Sequence, residues 1–276
     1  MELLSWIEIE KLNWFELSKN ENAIKLLEEN IDKVDWSALS QNQNALPILM
    51  KYQEKIKWLH LSLNPNAIDL LKENPDKINW ISFSENPAAV EYLLSKQYDK
   101  INWYMFSRNT RAIDYLKINQ NKINWSGLST NPAAIELLKR NPNKIDWMLL
   151  GINPKALEIY KIYPDKIDWI AISANPDAID LLEDNEDKIN WNYLSRNLNA
   201  IELLKKNQNK INWVELSTNP NAMSLLKANK DKIHWGYISR NPSIFKHKTA
   251  LNKILPNFWH YIKIFFYLPL IFIIKR

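Results

Sequence analysis

Eleven of the thirteen tryptophans in this chain stand in one register, at positions 14, 36, 58, 80, 103, 125, 147, 169, 191, 213 and 235. Every step is 22 residues except the one from Trp80 to Trp103, which is 23. A fixed period of that length marks a repeat array, in which no unit buries its apolar face alone and each must stack on its neighbours. A single globular core is thereby excluded for most of the chain.

With each tryptophan as position zero, the copies show what the repeat keeps. Lysine stands at −3 in all eleven units, an aliphatic residue at −2, and Asn or Asp at −1 except for Lys57 and His234. Position +3 is apolar, +4 is serine except for Gly151, and +6 is asparagine throughout. Proline follows at +7 in seven units, alanine stands at +9 in the ten complete ones, and +12 and +13 are apolar.

This pattern predicts two helices per unit. Asn or Asp at −1 is an N-cap for a short helix that starts at the tryptophan, with a hydrophobic staple between −2 and +3. A second helix is expected with Asn at +6 as cap and Pro at +7 in its first turn, where a missing N–H costs nothing. Positions +9, +12 and +13 form its buried stripe, and Asp69–Lys72, Glu136–Lys139 and Glu202–Lys205 are expected as pairs on its outer face. Asparagine at +16 suits a left-handed C-terminal stop. A leucine-rich repeat has a similar period, but +1 carries no apolar requirement, so a strand there would lose its alternation.

The expected fold is therefore all-α: an α-solenoid of about ten and a half 22-residue two-helix repeats, right-handed and elongated, extending about 100 Å along its path. Residues 1–13 read as an N-terminal cap, with Leu3, Leu4 and Trp6 available to cover the first face. Residues 14–243 form the array, and 244–276 an apolar, basic tail. Three units depart from the pattern. Pro47 falls inside a second helix and is expected to kink or shorten it, at up to about 3 kcal/mol. The Trp80 unit carries its extra residue between Leu93 and Asp99, expected in the helix-exit loop. The Trp147 unit has Gly151 for serine and Tyr160 for leucine, a candidate for altered curvature.

The units NPNAIDLLKENPDKINW and NPAAIELLKRNPNKIDW resemble the tandem repeats of uncharacterised proteins encoded by giant DNA viruses of the mimivirus kind, over about residues 11–243. More distantly, the unit is similar to leucine-rich-variant repeats, in which short helices alternate in a right-handed superhelix. The resemblance implies a viral repeat protein, placed in the host cytoplasm or the virion.

The chemistry-bearing residues point away from catalysis. The chain has no cysteine, so disulfides and thiolate chemistry are excluded. Its four histidines show no metal-ligand spacing, and no acidic pair, Ser/His/Asp set or phosphate-cradling glycine loop is present. No metal and no cofactor is expected. The serine column reads as a capping hydroxyl. The asparagine column reads as a ladder that uses its amide as donor and acceptor together, bonding to the next unit's backbone. The tryptophans could stack bases or sugars, but are better explained as filling between short helices, with the indole N–H hydrogen-bonded. The lysines could track phosphates, but are better explained by helix C-terminal carbonyls and the neighbouring acids.

The net charge is +5, of which the segment 244–276 contributes +6, so the array itself sums to −1. That disfavours nucleic acid as the partner. MELLSWIEIE reads as no signal peptide. These features lead us to expect a non-enzymatic scaffold for protein–protein interaction, with Tyr104, Met105, Met148, Leu149 and Tyr193 as candidate partner contacts. The alternatives are a single-stranded nucleic-acid-binding repeat protein and a scaffold tethered to a membrane through Leu255 to Ile274. That tail could instead be a buried cap or the remnant of a degenerate reading frame.

Overall fold

The computed structural model describes residues 1–246. Within them the chain is an all-α repeat solenoid of 21 α-helices, and its one sheet is a two-residue strand pair. The Trp125 unit shows how sequence becomes structure. The Asn124 carboxamide oxygen accepts from the Gly127 N–H at 2.9 Å, and a helix runs Trp125–Ser129. Asn131 then accepts from the Ala133 N–H at 2.9 Å and opens a 3-10 turn, Pro132–Ala134, which runs straight into the helix Ile135–Lys139. We call these the tryptophan helix, the proline turn and the leucine helix. Lys57, which has no acceptor, leaves its helix uncapped, whereas His234 caps through Nδ1.

The proline turn corrects one expectation. The leucine helix starts at +10 rather than +7, so Pro47 lies at the second position of Leu46–Lys51, where its missing N–H is not needed and no kink arises. The extra residue of the Trp80 unit also differs from expectation: it lengthens the helix itself, Val90–Lys96, to 7 residues against 6 in Ile68–Glu73. Nor is asparagine at +16 left-handed. Asn74 has φ −127°, and its side-chain amide donates to the Leu70 carbonyl at 2.9 Å, satisfying the helix end without a positive φ. The outer pairs Lys72–Asp69, Lys139–Glu136 and Lys205–Glu202 form as expected, at 3.8, 2.9 and 2.7 Å.

The core is a file of aliphatic side chains contributed alike by each unit, such as Leu61, Ala67, Leu71 and Ile78, all buried. Polar residues run beside it, for serine at +4 and asparagine at +6 are buried in every unit that has them. Ser129 Oγ donates to the Trp125 carbonyl at 2.8 Å and accepts from the Asp146 N–H of the following unit at 3.0 Å. Asn131 Nδ2 donates to the carbonyls of Ser107 and Asn109 in the preceding unit at 2.9 and 3.1 Å, while its Oδ1 caps its own proline turn. The asparagine ladder expected from sequence is thus present, directed at the preceding unit. Since a buried amide or carbonyl left unpaired costs about 1–3 kcal/mol, each joint is held in one geometry.

The ladder does not stop at the chain ends. Asn20 of the first unit donates to the carbonyls of Ser239 and Asn241 of the last at 3.1 and 3.0 Å, and the Asn13 N–H donates to Ser239 Oγ at 2.8 Å. Strand β1 (Glu2–Leu3) pairs antiparallel with β2 (Phe245–Lys246), and the Leu4 N–H donates to the Ile244 carbonyl at 2.8 Å. Ile244 fills the alanine position of the last unit, fully buried, and Ile7 joins the core from the other chain end. The array is therefore a closed ring of eleven units, and the expectation of an elongated solenoid is corrected. Closure fixes the summed rotation of the eleven joints at one full circle. Successive tryptophan helices and proline turns approach one another more closely than successive leucine helices do, so they occupy the shorter circumference.

Candidate functional site

The tryptophans are half-buried in every unit of the ring. Their indole N–H groups find no hydrogen-bond partner among the described residues and are not sealed from solvent, so the expected indole hydrogen bond is not made. What covers the ring in eight of the eleven units is lysine. Lys144 Nζ lies 4.6 Å from the Trp125 ring centroid, and Lys33, Lys77, Lys122, Lys188, Lys210 and Lys232 repeat the contact with the tryptophan of the preceding unit. Lys11 closes the series over Trp235 at 5.0 Å. The lysine column thus serves the indole faces by cation–π attraction, in addition to the short acid contacts Lys100–Asp99 and Lys166–Asp165. Tyr52 and Tyr163 replace asparagine at +16 in two units, and there the tyrosine packs on the tryptophan at 5.4 Å instead.

One joint departs from all the others. Gly151 has no hydroxyl to accept the Asp168 N–H, and the buried phenol of Tyr160, on the leucine helix of the same unit, comes near that N–H without closing a regular hydrogen bond to it. The same hydroxyl lies 3.5 Å from the Trp147 carbonyl, the group that serine bonds elsewhere. Tyr160 therefore takes over the missing serine's donation to the Trp147 carbonyl, at a longer distance and from the opposite side of the core. Burial, with a smaller contribution from the Asp168 charge and opposed by the nearby Asp168 N–H, pushes its phenol up to about 12. The replacement is incomplete, because Asn175 no longer reaches the +4 and +6 carbonyls and slips along the chain to the Pro154 carbonyl at 2.8 Å. Between Leu150 and Leu157 no proline turn forms, and a Cβ on Gly151 would meet Ala171 Cβ at 2.6 Å.

The slip opens a cleft of about 430 Å³. Met148, Ile152 and Ile170 form its apolar side and are 75%, 60% and 52% exposed, while Tyr193 and Arg196 of the next unit form the far wall. The Arg196 guanidinium stands 4.5 Å from the Tyr193 ring centroid. Of the candidate contacts named from sequence, the structure brings Met148, Leu149 and Tyr193 to this one cleft. Tyr104 and Met105 are half-buried on the helix Trp103–Arg108, where a Cβ on Gly127 of the next unit would collide with the Tyr104 carbonyl. Ile152, Ile170 and Arg196 were not among the candidates. The signal for them was Gly151, which marks the joint, although the period alone does not say which side chains border an altered joint.

Among the described residues no cluster of three or more His, Asp or Glu side chains could hold a metal ion, and no helix is long and apolar enough to cross a membrane. The tail segment Leu255 to Ile274 lies outside the described residues. No protein-family profile, no curated protein and no solved structure matches the chain.

Proposed function

We propose that the ring is a non-enzymatic scaffold that holds a protein partner, with the cleft at the Trp147–Trp169 joint as its principal contact. The observation that carries this reading is the gathering of Met148, Ile152, Ile170 and Tyr193, all exposed, around one half-open cleft. Exposed apolar groups collected in one place mark interaction surfaces. The positions that the repeat holds fixed are consumed by the core and the ladder, which leaves +1, +2 and +5 to be fitted to a partner. Phe15, Leu59, Ile81, Met148, Ile170 and Val214 at +1 are all exposed apolar residues.

The runner-up, a binder of single-stranded nucleic acid, would need cations free to meet phosphate, whereas eight of the eleven repeat lysines lie over tryptophan faces. On the resemblance to giant-virus repeats, the setting we propose is the cytoplasm of an infected host or the virion. A tethered form of the scaffold would use Leu255 to Ile274. The test is affinity capture from infected cells with the wild-type chain and with Ile170→Glu. A protein recovered by the first and lost by the second is the expected outcome, and reproducible recovery of RNA alone would contradict it.

A further inference from the structure

We propose that the cleft at the altered joint takes an extended apolar segment of a partner protein, read through its main chain, with an acidic residue set against Arg196. The inference rests on the protein-scaffold reading and names the chemistry its cleft accepts.

The first observation is the unfinished hydrogen bonding. At every other joint the +4 and +6 carbonyls of one unit face the asparagine amide of the next and accept from it, as Ser129 and Asn131 accept from Asn153 at 2.9 and 3.0 Å. Where Asn175 has slipped to Pro154, the Gly151 carbonyl has no partner among the described residues, and the Asn153 carbonyl keeps only the Ala156 N–H at 2.9 Å. The Gly151 carbonyl is thus left without the donor that every regular +4 carbonyl has. Both residues line the cleft. Two acceptors one residue apart, on main chain that leaves the helix after Leu150, match the N–H groups of an extended polypeptide, which is recognised by its backbone first and its alternate side chains second.

The second observation is the apolar surface. Met148, Ile152 and Ile170 stand where an alternate side chain of such a segment would rest, and Ala171 and Ala174 keep the base of the cleft open. The third is charge. Arginine recurs at +5 in three units, and in two of them it has an acid: Arg108 with Glu85 at 2.9 Å and Arg240 with Glu16 at 3.8 Å. For Arg196 the residue corresponding to Glu85 is Ala174; the one corresponding to Glu16 is Glu215, which borders a small cleft together with Arg196, yet the two form no ion pair. It is exposed, held against Tyr193, and borders the cleft. A carboxylate from the partner would complete a pair that the other two units complete internally.

The experiment measures fluorescence anisotropy of a labelled probe, acetyl-Ser-Val-Leu-Val-Glu-Ser-amide, titrated with the full-length chain. Three changes are each expected to weaken binding about tenfold: N-methylation of the two central amides, Glu→Lys in the probe, and Arg196→Gln in the protein. The double variant Gly151→Ser with Tyr160→Leu restores the regular joint chemistry. Since the new Cβ would otherwise meet Ala171 Cβ, the joint must move back toward the regular spacing and return Asn175 to the carbonyls. The variant should lose the probe while the ring stays folded by circular dichroism. Absence of binding by the wild-type chain, or equal binding of the N-methylated probe, would overturn the proposal. So would concentration-dependent self-association lost in Arg196→Gln, which assigns the cleft to a second copy of the chain. If the probe fails while cellular capture still depends on Ile170, the cleft chemistry is wrong and the scaffold reading stands; if both fail, both are wrong.

Discussion

The joint between the last unit and the first has no peptide linkage through it, yet it is built like the regular ones. The joint between the Trp147 and Trp169 units has continuous chain through it, yet its ladder is slipped. Asn20 finds the Ser239 and Asn241 carbonyls at the distances seen inside the array, while Asn175 misses both of its own and bonds to Pro154. Joint geometry is therefore set by the side chains at +4 and +6, and not by chain connectivity. Buried amides with single sites of satisfaction define one rotation per unit, and that rotation decides whether an array runs open or meets its own start.

The largest effect expected is at the ladder. Asn131→Ala removes two donations and one cap, leaving the Ser107 carbonyl and the Ala133 N–H unpaired, and should cost about 3–5 kcal/mol in denaturant unfolding. Asn131→Asp keeps the cap but sets a carboxylate against two carbonyls, and should cost more. Asn175→Ala gives up one donation and one cap and should cost only about 1–3 kcal/mol. Equal losses at positions 131 and 175 would erase the distinction between the two kinds of joint.

Next in size is the stand-in hydroxyl. Tyr160→Phe should destabilise by about 1 kcal/mol at neutral pH, because the Trp147 carbonyl loses the hydroxyl that takes serine's place. Gly151→Ser alone should destabilise, since its Cβ meets Ala171 Cβ at 2.6 Å, and combined with Tyr160→Phe it should cost less than the sum of the two in a double-mutant cycle. The pH dependence has a definite sign. The folded-state value is raised from 10.0 to about 12, so the contribution of Tyr160 is fully present below pH 10 and lost as pH rises to about 12. The wild-type minus Tyr160→Phe difference in stability should shrink across that window and stay flat below it.

The smallest effect is at the indole faces. Lys144→Met removes a cation from Trp125 and should cost about 0.5–1 kcal/mol. Lys55→Met should cost less, because Tyr52 already packs on Trp36.

Much of this was legible in the residues. The tryptophan period, the caps at −1 and +6 and the aliphatic stripe specify both helices of the unit, because each is a local pattern with a local physical cause. The asparagine column announced a ladder, since Ser or Asp would have capped as well, but only the carboxamide caps with its oxygen while its separate NH2 carries two donors to the neighbouring unit. Pro47 misled because a 3-10 turn and an α-helix share cap chemistry and differ only in where the second begins. The lysine column misled because its partner is 19 residues back along the chain, over a ring in the preceding unit. Closure was not legible: it depends on the size of the rotation per joint, which the side chains at +4 and +6 fix only in three dimensions. The altered joint was visible as Gly151 and Tyr160 separately, but nothing in one dimension says that a phenol reaches across the core to the place a glycine left empty.

Closure is the central claim, and a distance measurement tests it most directly. The chain has no cysteine, so label pairs can be placed at will. Phe15 in the first unit and Tyr237 in the last are both exposed on tryptophan helices, as are Leu59 and Ile81 in two neighbouring units. Double electron–electron resonance on Phe15→Cys/Tyr237→Cys should give a separation close to that of Leu59→Cys/Ile81→Cys, the spacing of adjacent units at about 10 Å between helix axes plus the label arms. A Phe15–Tyr237 separation several times that of the neighbouring pair, and larger than Phe15–Ile81, would mean an open array and contradict the ring.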